Sequence, residues 1–184
     1  DFKYSGLVEI KNIEINNKDA AYYKNIFKAE KIILFVDLKS FLSDLIIIKN
    51  LDIINPNFFL DLKITKKENN SSKKQKDELL SYEDNIGLAQ KINDNTPDKI
   101  WPNKNRDVNF IILESNLLGA KTNINVSFIS QSTQTQLSEM KFTNFGNEKE
   151  YQHYKDVLKF ILFDAYASTK NFKIKKVFKN AYGF

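Results

Sequence analysis

Several residue types that build reactive sites are scarce or missing in this sequence. Its 184 residues include no cysteine, one histidine and five glycines. The lack of cysteine excludes disulfide bonds, thiolate zinc sites, iron–sulfur clusters and a cysteine nucleophile. A single histidine, His153, excludes sites with several histidine ligands, and five glycines leave little material for a phosphate-binding loop. The composition therefore rejects several classes of metal, redox and nucleotide chemistry without proposing another.

Arginine is also scarce, which affects how the net positive charge is interpreted. The formal net charge of +5 comes from 28 Lys+Arg against 23 Asp+Glu, and Arg106 is the only arginine. Recognition of phosphates and bases favours the planar guanidinium, and the polar run 66–76 has no interleaved aromatic residues to stack on bases. We attribute the lysine excess mainly to the general richness of this chain in Lys, Asn and Ile. We therefore predict no nucleic-acid partner.

Apolar residues are plentiful, by contrast, and suffice for one domain core. Hydrophobic residues make up 42% of the chain and include 15 Phe and 8 Tyr. No run of 18 apolar residues is present, and no signal-peptide pattern precedes the first predicted strand. The chain opens at Asp1 without methionine. We therefore expect that an upstream segment was trimmed.

Alternation of apolar and polar residues predicts seven strands. They fall at 7–15, 32–38, 46–54, 58–64, 108–114, 124–129 and 137–145. The parity of the alternation shifts between Ile10 and Ile13 and again between Ile48 and Leu51, which indicates a bulge or bend in each strand. Strands with one apolar face are typical of an antiparallel sheet.

Helical spacing predicts the rest of the fold. A long amphipathic helix is expected at 148–169, with Asn147 and Glu150 resembling a capping box. A second helix is expected at about 77–92, inside a polar insertion at 66–102 that also holds Trp101, which we interpret as a packing residue. Short helical connectors are expected at 20–27 and 38–44, and a turn at 116–121. The sequence thus predicts one α+β domain over 1–184: a curved, mostly antiparallel sheet packed by the C-terminal helix and a helical insertion.

Acidic residues in structured segments are the natural candidates for acid–base catalysis. They form no recognisable catalytic signature, and alternation places Asp61 opposite the apolar face of its strand, where we expect a solvated side chain. His153 has no accompanying nucleophile-elbow or metalloprotease motif. We predict no enzymatic activity, no catalytic residues, no metal and no cofactor. The acidic candidates are Asp37, Asp44, Asp52, Asp61, Glu114 and Asp164.

The positive feature of the sequence is apolar strand surface. The segments 32–35 and 110–113 carry apolar residues on both faces of their strands. A strand with two apolar faces must be covered on both sides. The cover can be the chain's own helices, a partner chain or an apolar ligand, and the chain's own helices are the default expectation.

Three segments resemble the AsmA-like family of envelope proteins, which is related to the TamB-like proteins among the bridge-like lipid-transfer proteins. They are GLVEIKNIEINN at 6–17, KAEKIILFVDLKSFLSDLIIIKNLDIINPNFFLDL at 28–62 and LSEMKFTNFGNEKEYQHYKDVLKFILFDAY at 137–166. The resemblance implies a periplasmic domain tethered to the inner membrane by an N-terminal helix upstream of Asp1. It carries over no site residue.

Together these observations predict a non-enzymatic periplasmic envelope protein that binds lipid or another apolar partner. Its expected role is in membrane biogenesis or lipid homeostasis, and the residues that contact lipid are not assigned. The alternative is a structural or assembly module that uses an exposed sheet edge to bind an envelope partner protein or further copies of itself.

Overall fold

A computed structural model describes residues 6–17, 22–67, 79–85, 109–147 and 150–184. Within these ranges ten strands and two α-helices form an α+β fold. Two short 3-10 helices, Leu38–Leu42 and Ser127–Ile129, connect strands. The strands are β1 (Leu7–Asn16), β2 (Asn25–Val36), β3 (Leu45–Ile54), β4 (Asn57–Lys67), β5 (Leu79–Asp84), β6 (Asn109–Leu118), β7 (Lys121–Val126), β8 (Gln131–Gln136), β9 (Met140–Gly146) and β10 (Gln152–His153), and the helices are α1 (Tyr154–Ser168) and α2 (Phe172–Tyr182).

All ten strands belong to one sheet. Its main path runs β10-β9-β6-β3-β2-β4-β7-β8, while β1 pairs with β2 and β5 pairs with β4. Three pairings are parallel, β3 with β6, β4 with β7 and β9 with β10, and the other six are antiparallel. The predicted class, an α+β fold with a mostly antiparallel sheet, is confirmed.

Two strand breaks lie side by side in the sheet, one between β3 and β4 and the other between β6 and β7. Asn55 and Gly119 occupy these two breaks, both with left-handed backbone (φ 50° and 68°). The ladder continues across the breaks, because Asn55 N donates to Leu118 O and Lys121 N donates to Pro56 O, each at 2.8 Å. A Cβ atom at Gly119 would collide with the Asn55 side chain. Glycine is favoured there mainly by its φ angle, because a larger residue would be strained and would also displace the end of the Asn55 side chain.

The bulge predicted in β3 is present. Ile48 lies opposite Val36 and Asn50 lies opposite Phe35, so Lys49 is the extra residue in β3. An extra residue reverses the parity of the alternation, which is the signal that the sequence carried.

The corresponding irregularity in β1 takes a different form. Asn12, between Ile10 and Ile13, has left-handed backbone (φ 53°). The shift of register against β2 falls later in the strand, at Ile15 and Asn16. The parity change therefore marks a left-handed residue here, not an inserted one.

The hydrophobic core lies between the two helices and the sheet. Both helices bury an aliphatic stripe, and the strands with the most deeply buried side chains are β4 and β7. This arrangement is how an open sheet and amphipathic helices remove their apolar faces from water. The residues of the buried cluster are Leu60, Leu62, Ile112, Leu117, Ile124, Val126 and Phe145 in the strands, Ala120 and Leu137 in the connections, Val157, Ile161, Leu162 and Ala165 in α1, and Ile174, Val177, Phe178, Ala181 and Tyr182 in α2.

The helix predicted at about 77–92 is wrong where the structure describes it. Residues 79–84 form β5, which pairs antiparallel with β4 so that Tyr82 lies opposite Ile64. Tyr82 packs against the core from this strand. The edge of β4 supplies backbone partners that the local periodicity does not reveal, so pairing overrides the helical spacing. Residues 86–92, Trp101 and most of the predicted insertion lie outside the described residues.

The C-terminal region differs from the prediction in its helix boundaries. Residues 148–149 lie outside the described residues, and α1 begins at Tyr154, not at 148. Asn147 does not cap it, because its Oδ1 atom accepts a hydrogen bond from Phe110 N at 2.7 Å. The capping side chain is His153, which accepts from Lys155 N. The second helix, α2, was missed entirely.

Smaller differences concern connectors and strand ends. The helical connector predicted at 20–27 is wrong from Asn25 onward, where β2 begins, whereas the connector at 38–44 is a 3-10 helix as expected. The turn predicted at 116–121 is shorter, because β6 continues to Leu118. The strand predicted at 124–129 ends at Val126, and the polar strand β8 was not predicted.

Candidate functional site

An open groove lies between strand β9 and helix α1. Its volume is about 520 Å³, within the range of ordinary ligand sites, roughly 300–1,000 Å³. Apolar side chains from both elements line it, together with a few polar ones. The lining residues are Met140, Lys141, Phe142 and Thr143 of β9, Gln152 of β10, and Phe160, Phe163 and Asp164 of α1.

The groove follows one edge of the sheet. Consecutive residues of β9, from Met140 to Thr143, line it, although alternate side chains of a strand point to opposite faces. Within the described residues, the only strand pairing on this side of β9 is with β10, opposite Phe145 and Gly146. The first part of β9 therefore presents its edge to the groove.

Helix α1 contributes two phenylalanines from its outward side. Phe160 is 57% exposed and Phe163 is 51% exposed. They stand three residues apart and so lie on the same side of the helix. The buried stripe of α1 is already apolar, so these rings make the helix apolar on its outer side as well. A helix with apolar residues on both sides normally has a neighbour on each.

Polar contacts cap the N-terminus of α1 and join its C-terminal half to the segment before β9. At its N-terminus His153 caps the helix, and Asp156 lies in the first turn, where its charge is favourable to the helix dipole. Further along, Asp164 accepts hydrogen bonds from Ser138 N at 2.8 Å and from Ser138 Oγ at 3.0 Å. Because Ser138 precedes β9, this pair connects the two walls of the groove.

The far end of α1 is held by aromatic contacts. The Phe163 ring meets the Phe184 ring edge-to-face, with centroids 5.5 Å apart, and Tyr166 lies 5.6 Å from Phe184. Such pairs add to the stabilisation from apolar burial. The Phe163 ring is thus oriented by the C-terminal segment while half of its surface remains open to the groove.

A charged residue at the rim of the groove, Lys141, forms an ion pair with a residue of the neighbouring strand β6. Lys141 Nζ lies 2.8 Å from Glu114 Oε1 across the β6–β9 pairing. The hydrogen bond and charge of Lys141 lower the pKa of the Glu114 carboxyl. Polar groups at the rim and phenylalanines inside are the pattern of a site for an amphipathic or apolar ligand.

Asp61 is the main departure from the sequence-based expectation. It was predicted to be solvated, but it is 1% exposed. Its carboxylate accepts hydrogen bonds from Tyr22 N at 2.9 Å, Asn125 Nδ2 at 2.7 Å and Ser127 Oγ at 3.2 Å. The aromatic segment beside it covers this face of β4, since the Tyr23 ring lies 5.4 Å from the Phe59 ring. Alternation identified the correct face but could not reveal what covers it.

The surroundings of Asp61 indicate a structural role. Asn85 accepts a hydrogen bond from Asp61 N and donates to Phe59 O, each at 2.9 Å. Burial, with Tyr22 and Asp61 nearby, raises the pKa of Tyr23 to about 12, so this phenol stays protonated near neutral pH. The buried carboxylate therefore joins three chain segments through hydrogen bonds that it accepts.

The other acidic candidates are distributed over the sheet, each with a local partner. Asp37 accepts from Lys39 N and pairs with Lys49, and these contacts lower the pKa of its carboxyl. Asp52 accepts a 2.7 Å hydrogen bond from Asn116 Nδ2. Asp44 accepts a backbone bond from Asn109 through its carbonyl oxygen. Asp37 and Glu114 are thus paired with lysines, and Asp52 is paired with an amide.

No group of three or more His, Asp or Glu side chains in the described part of the chain could hold a metal ion. Across the same ranges, no helix is both long enough and apolar enough to cross a membrane. Comparisons with protein-family models, with curated proteins and with solved structures found no match. The resemblance to the AsmA-like family stays a prediction.

Proposed function

We propose that this protein is a non-enzymatic binding module that holds a lipid acyl chain in the groove between β9 and α1. The observation that carries the proposal is the pair of half-exposed rings, Phe160 and Phe163, facing Met140 and Phe142 across an open groove. Leaving such rings in water costs free energy that an apolar ligand recovers.

The polar residues of the groove suit an amphipathic ligand. Lys141, Thr143, Gln152 and Asp164 supply polar groups beside the apolar rings. An acyl chain would lie against the rings while its polar head remained near these groups and near solvent. Each methylene group removed from water contributes about 0.8 kcal/mol.

The biological setting follows from the resemblance to the AsmA-like family. Under that resemblance the protein acts in the periplasm, tethered to the inner membrane, in membrane biogenesis or lipid homeostasis. The groove supplies a place for lipid on a chain that has no assigned catalytic residue. Envelope location and groove binding are separate parts of the proposal and can be tested separately.

Titration with a long-chain fatty acid that carries an environment-sensitive fluorophore tests groove binding. We expect saturable binding by the wild-type protein and about a tenfold loss of affinity for each ring removed in Phe160→Ser and Phe163→Ser, the effect of roughly 1.4 kcal/mol per ring. The matched control is Phe128→Ser, which removes a ring that is 60% exposed and does not line the groove.

Equal losses in the control and the groove variants would contradict the assignment of the site. Absence of saturable binding by the folded wild-type protein would contradict lipid binding itself. Native mass spectrometry of protein purified from cells gives a second check, since we expect a bound lipid mass that the Phe160→Ser/Phe163→Ser double variant lacks.

A second candidate function rests on the edge of β9. Backbone groups at a sheet edge can pair with an added strand, and the groove would receive its side chains. The protein would then be an assembly module for a partner or for further copies. Size-exclusion chromatography with light scattering separates the two: a defined lipid-free oligomer favours assembly, and a lipid-bound monomer favours the acyl-chain site.

A further inference from the structure

The last twenty residues of this protein carry a net charge of +5, as large as that of the whole chain. Five of the 28 cationic residues lie in 165–184, and this segment has no Asp or Glu. The remaining 23 cationic residues balance the 23 acidic residues of 1–164. Residues 1–164 are thus neutral as a whole, although the run 66–76 is rich in lysine, whereas 165–184 contain lysines without any acidic residue.

The fold turns most of this charge toward solvent. Helix α2 buries Ile174, Val177 and Phe178 against the core, while Lys173, Lys176 and Lys179 are exposed. Lys170, just before the helix, is exposed as well. Lys175 is the exception, because its Nζ atom lies 4.9 Å from the centre of the Tyr166 ring and donates to Ala167 O. We call the exposed side of α2 with Lys170 the basic face.

An exposed aromatic ring lies at the start of the basic face. Phe172 is 78% exposed and is followed directly by Lys173. On the helix, Phe172, Lys176 and Lys179 share one side, because they are four and three residues apart. In segments that bind membrane surfaces, lysines contact acidic headgroups and phenylalanine enters the interface, and the exposed side of α2 supplies both kinds of residue.

We propose that the basic face docks the protein on an anionic lipid bilayer. The lysines attract acidic headgroups, and Phe172 enters the interface between headgroups and acyl chains. A nucleic acid is the less favoured partner, because the face offers no arginine for bidentate phosphate contacts and only one exposed ring for base stacking. The docking does not depend on ligand binding in the β9–α1 groove.

Co-sedimentation with vesicles tests the proposal. We expect the protein to bind vesicles of equal parts phosphatidylglycerol and phosphatidylethanolamine, to bind phosphatidylcholine vesicles weakly, and to dissociate as salt rises. The variant Lys173→Gln/Lys176→Gln/Lys179→Gln should lose on the order of 100-fold in partitioning, from about fivefold per lysine. Phe172→Ser should lose several-fold without any change in charge.

The matched control removes the same charge elsewhere. Lys24, Lys63 and Lys121 are exposed and lie away from α2, and their triple change to glutamine should leave most of the vesicle binding intact. Far-ultraviolet circular dichroism confirms that α2 remains folded, since glutamine is a good helix former.

Three outcomes would overturn the proposal. They are equal losses in the two triple variants, equal binding to anionic and neutral vesicles, and tighter binding of the same lysines to duplex DNA than to anionic vesicles. The groove variants Phe160→Ser and Phe163→Ser provide the separation from the proposed function: they should lose fatty-acid binding while keeping vesicle binding.

Discussion

The two helices bury similar surfaces and expose different ones. Toward the sheet, α1 and α2 both place aliphatic and aromatic side chains in the core. Toward solvent, α1 shows Phe160 and Phe163, while α2 shows Lys173, Lys176 and Lys179 with Phe172 at one end. Burial in the core requires the inner side of each helix to be apolar, whereas the residues on the outer sides are not constrained in this way.

In a chain without catalytic motifs, the solvent-exposed sides of the helices are therefore the places to look for functional residues. Exposed rings contribute little to stability, because they remain in contact with water. Exposed lysines that concentrate on one helix repel one another. Apart from the contacts of Phe163 with Tyr166 and Phe184, packing does not account for these exposed groups, so we propose a ligand for each: an acyl chain beside α1 and an anionic surface beside α2.

The largest expected effect compares two phenylalanines of the same helix. Phe178 is 1% exposed and Phe172 is 78% exposed. Phe178→Ala should lower the free energy of unfolding by about 3–5 kcal/mol, since it removes a buried ring and leaves a cavity. Phe172→Ala should change it by no more than about 0.5 kcal/mol. Urea denaturation measures both, and similar losses would contradict the assignment of inner and outer sides.

A smaller loss of stability is expected at Asp61, away from both helices. Asp61→Ala leaves the Asn125 amide and the Tyr22 N–H without their acceptor, which should cost roughly 1–3 kcal/mol. Fatty-acid affinity of the folded variant should be unchanged, because Asp61 does not line the groove. A loss of ligand binding at unchanged stability would instead move the functional site to Asp61.

The link between α2 and β5 depends on pH in a defined direction. The Tyr182 hydroxyl donates to Asp84 Oδ2 at 2.8 Å, and burial, with Asp84 nearby, raises the pKa of this phenol well above its usual value. The stability that this adds is complete below about pH 10, the pKa of the unfolded phenol, and is lost as pH rises toward the folded pKa.

Tyr182→Phe measures this contribution. The variant should be about 1–2 kcal/mol less stable than wild type at pH 7, through loss of a hydrogen bond to a carboxylate. The difference should narrow above about pH 10, because only the wild type then loses stability through this phenol. Denaturation curves at several pH values test the sign, and a gap that widens at alkaline pH would contradict it.

The smallest expected effect concerns the contact between the two walls of the groove. Asp164→Asn keeps the shape of the side chain but removes its charge, and it should weaken the hydrogen bonds from Ser138 by less than about 1 kcal/mol. We expect a two- to threefold loss of fatty-acid affinity, roughly 0.5 kcal/mol, because the walls are held less firmly. No loss would show that the groove does not depend on this contact.

Local pattern was sufficient for much of the fold. Alternation predicted β1, β3, β4 and the bulge at Lys49, because each strand has a distinct apolar face and an extra residue reverses its parity. The buried stripe of α1 followed from helical spacing in the same way. These features depend on residues close together in the chain.

Features that depend on contacts between residues far apart in the chain could not be predicted from the sequence. β5 forms because β4 offers it an edge, and Asp61 is buried because the segment near Tyr22 covers it. The polar strand β8 has no apolar alternation and is held by pairing with β7. The groove was missed for the same reason, since Met140 and Phe163 are neighbours only after α1 packs beside β9.

Photo-crosslinking with a diazirine fatty acid tests most directly whether α1 and β9 form the lipid site. We predict that mass spectrometry will place the label on peptides containing 140–143 and 160–164, and that the Phe160→Ser/Phe163→Ser variant will lose it. The alternative apolar surface is on β1 and β2, where Ile10, Ile15 and Phe35 are also exposed. Labelling there, or no specific labelling, would contradict the assignment of the groove as the lipid site.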